Sequence, residues 1–160
     1  MLDPSAAADA LRGQARTLGF DAVGCARLDP AETDDRLSAW IESGKNADMR
    51  WFERTGEVRR NPAHRLPDAK TVVVVAQGYW DGSASISARG AVARYARLTD
   101  YHNVLGDRVR NLAAWLDSLQ PGARSFFSVD SGAIMEKRWA ERAGIGWQGR
   151  NTLIIREGMG

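Results

Sequence analysis

The stretch Thr71-Val72-Val73-Val74-Val75-Ala76-Gln77-Gly78-Tyr79-Trp80 decides the fold class. Four consecutive valines without polar alternation predict a strand over 71–80 that is covered on both faces, hence a central strand. A strand of that kind needs helices on either side. The flanking sequence supplies them. Upstream, residues 4–18 read as a helix, with Pro4 and Ser5 at its start, Gly19 just past its end and Leu11, Ala15 and Leu18 on one stripe. Residues 21–28 read as a short strand of small residues. Residues 33–43 read as a second helix, with Thr33 as candidate cap, Leu37, Trp40 and Ile41 inward and Gly44 past its end. Met49, Trp51 and Phe52 suggest a short helix or packed loop that Arg60-Asn61-Pro62 should stop, because the residue before proline avoids the α region.

Downstream, residues 81–90 are rich in Gly and Ser and read as a surface loop. Residues 90–97 read as a strand. Residues 101–119 form the longest predicted helix, with Leu105, Val109, Leu112, Leu116 and Leu119 as its stripe. Residues 125–130 and 151–157 read as strands, and 134–143 as a short helix stopped by Gly144. No internal repeat is visible. The expected fold is a single α/β domain over 1–160, an α+β sandwich whose mixed central sheet of four to five strands is covered by helices. A chain closing on Gly158-Met159-Gly160 directly after an apolar strand is expected to be part of a longer protein.

Composition narrows the function classes. The chain has 160 residues, 44% hydrophobic and 26% charged, which is ordinary for a folded domain and unlike a disordered one. The single cysteine, Cys25, excludes an internal disulfide, an iron–sulfur cluster or a Cys-rich zinc site held by this chain alone. One free thiol and the absence of a signal-peptide pattern in Met1–Ala10 lead to an expected cytoplasmic location. No apolar run approaches the ~18 residues that span a bilayer. All but three of the 22 basic residues are Arg, the better bidentate phosphate binder. Residues 50–65 hold five arginines against Glu53 and Glu57, and residues 89–110 hold five against Asp100 and Asp107. A polyanion could use such patches, and so could plain solvated faces.

Three segments could carry chemistry. Asp130, in Val129-Asp130-Ser131-Gly132, follows an apolar strand and precedes a helix, where α/β folds place their sites. A helix cap explains the same spacing, and the spacing alone favours it. Ala143-Gly144-Ile145-Gly146-Trp147-Gln148-Gly149-Arg150-Asn151-Thr152 has three glycines in six residues, which lets backbone approach a ligand closely or simply makes an irregular connection. It is neither a P-loop nor a dinucleotide fingerprint. Arg94-Tyr95-Ala96-Arg97, leading to Thr99-Asp100-Tyr101-His102, interleaves aromatics with Arg and could stack nucleotides; alternatively Asp100 caps the long helix. Neither His has a metal-ligand partner at i+3 or i+4.

Several of these motifs together resemble one family, in order and spacing. They are Gly19-Phe20 with Val23-Gly24, Met49-Arg50-Trp51-Phe52-Glu53-Arg54, Leu66-Pro67-Asp68-Ala69-Lys70-Thr71-Val72, Ala93-Arg94-Tyr95-Ala96 with Asp100-Tyr101-His102-Asn103-Val104-Leu105, and Val129-Asp130-Ser131-Gly132 running on to Arg150-Asn151-Thr152. The chain is similar to the N-terminal half of epoxyqueuosine reductases. Ser131 stands where the family usually has Thr, Ala133 where it often has Pro, and Arg150 where Lys is more usual. The resemblance implies a cobalamin-binding domain akin to those of reductive dehalogenases and B12-processing proteins. It implies an oxidoreductase that reduces epoxyqueuosine to queuosine in a tRNA anticodon loop. Two four-iron clusters would lie outside this chain, an external electron donor would feed them, and the protein would be a monomer. Asp130 would be the proton donor, which requires a protonated carboxyl in a partly desolvated site. The corrin-contacting positions fall on Arg59, Ala93, Asp130, Asn151 and Ile154, with no His ligand to cobalt. A stand-alone corrinoid carrier and, more distantly, a flavin-binding reductase are the alternative expectations.

Overall fold

The structure, a computed structural model, describes residues 3–29, 35–79 and 92–159. Thr33 and the whole 81–90 segment therefore lie outside the described residues. Helix α1 (Pro4–Thr17) begins at Asp3, whose carboxylate accepts from the Ser5 and Ala6 N–H groups. The cap is thus one residue earlier than Pro4-Ser5. Gly19, at φ +85°, turns the chain out of the helix into β1 (Ala22–Arg27). Strand β2 (Thr71–Ala76) pairs antiparallel with β1, from Ala22 opposite Ala76 to Arg27 opposite Thr71.

The period-2 geometry of β2 explains its unbroken valines. Val73 and Val75 pack with Leu11, Ala15, Phe20 and Leu112, on the side of α1 and of α4 (Tyr101–Ser118). Val72, Val74 and Ala76 face the other way, toward Ala22, Ala26, Trp139, Ala140 and Ile145. That second layer is α5 (Glu136–Arg142) with the residues just C-terminal to it. Gly24 belongs to the α5 face. A Cβ there would run into the Ala143 carbonyl, so α5 can approach β1 only because residue 24 is glycine. The two-sided burial expected of 71–80 is present, but the strand ends at Ala76 and its valines are half-buried.

Helices α2 (Asp35–Glu42) and α3 (Trp51–Arg60) pack on each other. Asn61 stops α3 as expected. It is buried, its side-chain amide donates to the Asp29 carbonyl, and its oxygen receives the Ala63 N–H in the short 3-10 turn Pro62–His64.

The described residues make two separate two-stranded sheets rather than one sheet of four or five strands. The second joins β3 (Trp147–Gln148) to β4 (Ile154–Ile155), antiparallel. Three expected strands change for local reasons. Residues 125–130 are not a strand: the consecutive Phe126 and Phe127 are both exposed and lie under the Arg65 and Arg110 guanidinium groups instead of alternating across a pleat. A cavity of ≈ 660 Å³ separates this segment from β2 and α4. Arg94–Arg97 is a 3-10 turn. In 151–157 only two residues are extended in a ladder, because Thr152 takes φ +65° and the Asn151 side chain accepts from the Leu153 N–H.

Candidate functional site

Asp130 sits in a tight turn, at φ +55°, a left-handed conformation that Asp tolerates better than most residues. Gly132 makes that turn possible, since a Cβ there would collide with Ser128 Oγ. The helix-cap explanation of Asp130 does not hold. Helix α5 starts six residues later, with Met135 at its N-cap and no side-chain cap hydrogen bond.

Two residues at the start of α4 reach Asp130 instead. Asp100 caps α4 by accepting from the His102 N–H at 2.9 Å. The cap fixes the first helical turn and so aims Tyr101 and His102. The Tyr101 hydroxyl donates to Asp130 Oδ2 at 2.8 Å. His102 Nε2 lies 3.5 Å from the same oxygen, and its Nδ1 lies 2.8 Å from Asp100 Oδ1. The Tyr101 and His102 rings are stacked, 4.2 Å between centroids. A protonated imidazole satisfies both carboxylates, because both ring nitrogens then donate.

These contacts set the electrostatics. The Tyr101 phenol is pushed up to about 12, chiefly because its proton is held by Asp130. His102 is raised above its ordinary value by the hydrogen bond to Asp100, with Asp130 adding to it. Asp100 is held below the usual carboxylate range by the His102 backbone N–H and then its ring. Asp130 itself is 64% exposed at its side chain, so the described residues do not provide the desolvated setting expected for it. The reason is its place on a turn between elements rather than inside the helix–sheet layers.

Glu136, which no sequence motif singles out, stands nearby. Burial raises its carboxyl above the usual range, the Asp130 charge adds to this, and Arg59 opposes it. Its Oε1 is buried with no hydrogen-bond partner among the described residues, as is Ser128 Oγ. The only signal in sequence is an acid at the first position of a helix, which normally marks nothing more than dipole compensation.

The other expected site residues separate into groups. Arg59 donates through Nε to Thr55 Oγ1 at 2.9 Å and lies 4.7 Å over the Phe52 ring. The charges of Arg59 and Asp130 act in opposite senses on Glu136, at the start of α5. Asn151 and Ile154 belong to the β3–β4 hairpin, which Lys137 and Glu141 tie to α5 through Thr152 Oγ1 and the Gln148 N–H. Ile154 is half-buried against Ala22, Ala140 and Ile145. Ala93 is exposed and precedes the Arg94–Arg97 turn. The glycines of this region serve the hairpin: Gly144 turns out of α5 at φ +71°, and a Cβ on Gly146 would meet the Ile155 carbonyl. That packing leaves Trp147 and Leu153 exposed, 54% and 51%. Several arginines of the two basic stretches have internal roles. Arg60 donates to Ser38, Arg108 to Gln77 and the Gly19 carbonyl, and Arg110 pairs with Asp107. Arg50 and Arg54 are exposed. Among the described residues no helix is long and apolar enough to cross a membrane.

In sequence and in fold the chain matches known proteins. The family model "Epoxyqueuosine reductase QueG, DUF1730" matches residues 59–131. An epoxyqueuosine reductase of Gloeobacter violaceus is 38% identical over 148 residues, 91% of this chain and 46% of that protein. A crystal structure of an epoxyqueuosine reductase with an epoxyqueuosine-modified tRNA-Tyr stem-loop superposes with a TM-score of 0.71 at 28% identity, over 92% of this chain and 40% of the other. The Bacillus subtilis enzyme, seen with its catalytic aspartate loop swung out of the active site, superposes with a TM-score of 0.71 at 26% identity, over 94% and 41%. By sequence and fold the chain is similar to epoxyqueuosine reductases, and it spans about half the length of the relatives it matches.

Proposed function

We propose that this chain is the cobalamin- and substrate-binding part of an epoxyqueuosine reductase, acting on tRNA in the last step of queuosine biosynthesis. The observation that carries this is the Tyr101–Asp130–His102 constellation, in a chain similar to a reductase seen with a modified tRNA stem-loop. That similarity favours the reductase over a corrinoid carrier.

The reaction removes one oxygen from an epoxide. Two protons and two electrons are consumed, both C–O bonds break, an alkene forms and water leaves. Asp130 is the proton donor to the departing oxygen. Its exposed turn lets substrate approach, and Tyr101 and His102 fix one of its two oxygens, which leaves the other for the substrate. His102, whose protonated form Asp100 favours, lies beside Asp130 as a second group able to carry a proton. The Asp130 and His102 pair thus supplies proton-carrying groups to match the stoichiometry.

The residues present fit a corrin. Trp147 and Leu153 offer exposed apolar surface, Asn151 an exposed amide for the corrin's side amides, and Arg59 a cation for an amide or the tail phosphate. Ala93 and Ile154 offer small or apolar contacts. Bound there, cobalamin would supply the electrons, fed by an external donor through two four-iron clusters that a chain with one cysteine cannot hold.

The test is turnover of Asp130→Asn, with the chain fused to the cluster-bearing remainder of a relative. Binding of cobalamin should persist while turnover falls by about 10²–10⁴. Retained queuosine formation would remove Asp130 as the acid.

A further inference from the structure

The chain has three tyrosines: Tyr79 and Tyr95 pair with each other, and Tyr101 contacts Asp130. Tyr101 donates to Asp130. Tyr79 and Tyr95 meet edge to face, with centroids 6.5 Å apart and planes at 77°. Both of these rings are exposed, 46% and 55%, although nothing in the helix–sheet layers needs them at the surface.

Their backbones are held. The Gly78 N–H donates to Asp21 Oδ2 at 2.8 Å, and Gln77 accepts from Arg108 at 2.7 Å, so Tyr79 leaves β2 from a fixed point. Tyr95 sits in the 3-10 turn closed by the Ala96 N–H on the Ala93 carbonyl. Arg94 and Arg97 flank it in sequence. Flat exposed rings on a fixed backbone, in a segment that also carries arginines, are the composition that stacks bases of single strands.

We propose that Tyr79 and Tyr95 form a stacking corner for an unpaired nucleobase of the RNA substrate. This rests on the reductase reading and adds to it the residues that position the RNA. Tyr95 supplies the exposed face and Tyr79 braces its edge. Neither touches the reacting atoms, so both are positioning residues.

The test is fluorescence anisotropy with a labelled anticodon stem-loop RNA and a duplex of equal length. Tyr95→Ala should weaken stem-loop binding roughly tenfold, the usual size of one base–aromatic stack, and leave duplex binding unchanged. Tyr95→Phe should bind as wild type, because the ring and not the hydroxyl is used. Tyr79→Ala should fall in between, with circular dichroism showing the fold intact. Equal stem-loop binding by wild type and Tyr95→Ala overturns the corner, as does an equal loss in Tyr95→Ala and Tyr95→Phe, or no stem-loop binding by wild type at low salt. If wild type binds the stem-loop and Tyr95→Ala binds it equally well, only the corner fails; if cobalamin binds but wild type does not bind the stem-loop, the corner fails and the corrinoid-carrier reading gains over the reductase.

Discussion

Tyr101 and Asp130 are 29 positions apart in sequence, yet the phenol of one donates to the carboxylate of the other at 2.8 Å. The contact joins the first turn of α4 to the turn after residues 125–129. It is made possible by two small local devices, the Asp100 cap and the Gly132 turn. Tyr101 gains a partner that disfavours its ionisation, and Asp130 gains a fixed orientation.

The phenol titration reports this contact. Phenolate absorbance followed against pH should show one tyrosine, Tyr101, ionising at about 12. In Asp130→Asn that tyrosine should fall back toward about 10, the ordinary value. With the folded value raised, the contact's contribution to stability is complete below pH ~10 and disappears as pH rises through the folded value. If the high titration survives in Asp130→Asn, the contact is not its cause.

His102 and Asp100 give a second pH signature. His102 is raised, so its contribution is complete below about 6.5, its unfolded value, and is lost as pH rises through the higher folded one. Asp100 is lowered, so its contribution is present above about 3.9 and lost as pH falls through the lower folded value. Imidazole NMR of Asp100→Asn should show His102 titrating lower than in wild type. An unchanged midpoint would contradict the pairing.

Leu112, on α4, is 3% exposed and packs in one cluster with Leu11 and Ala15 of α1 and with Val73 and Val75 of β2. Leu112→Ala should cost roughly 2–5 kcal/mol in urea unfolding. A loss under about 0.5 kcal/mol, the size of a surface substitution, would mean that α4 is not packed there.

Gly24 tests the other face. A Cβ at this position meets backbone, the Ala143 carbonyl, and not a side chain that can swing aside. Gly24→Ala should therefore lower the thermal midpoint, while Gly13→Ala, where a Cβ meets nothing, should leave it unchanged or raise it. Equal midpoints for the two variants would show that α5 does not pack against β1 as described.

The elements legible in sequence are those whose pattern is set locally. The stripe through Leu105, Val109, Leu112 and Leu116 has one helical solution, and the four valines have one strand solution. Strand partners are less legible, since Phe126-Phe127 reads as strand until the cations that cover both rings are in view. Asp130 is visible from its place between an apolar segment and a helix, and the role proposed for it is what the family resemblance implies. Tyr101 and His102 are visible only as a helix start, because what aims them at Asp130 is a tertiary contact. Glu136 is hidden for the same reason: its environment comes from Arg59 and Asp130, each distant in sequence or set on a separate turn.

The functional reading depends above all on a corrin binding beside Asp130. The absorption spectrum of the purified chain, titrated with cob(II)alamin, measures that binding directly. A saturable shift toward the base-off form, weakened by Arg59→Ala and retained in Asp130→Asn, is the expected result. No spectral change with cob(II)alamin, together with retention of a flavin, would contradict it.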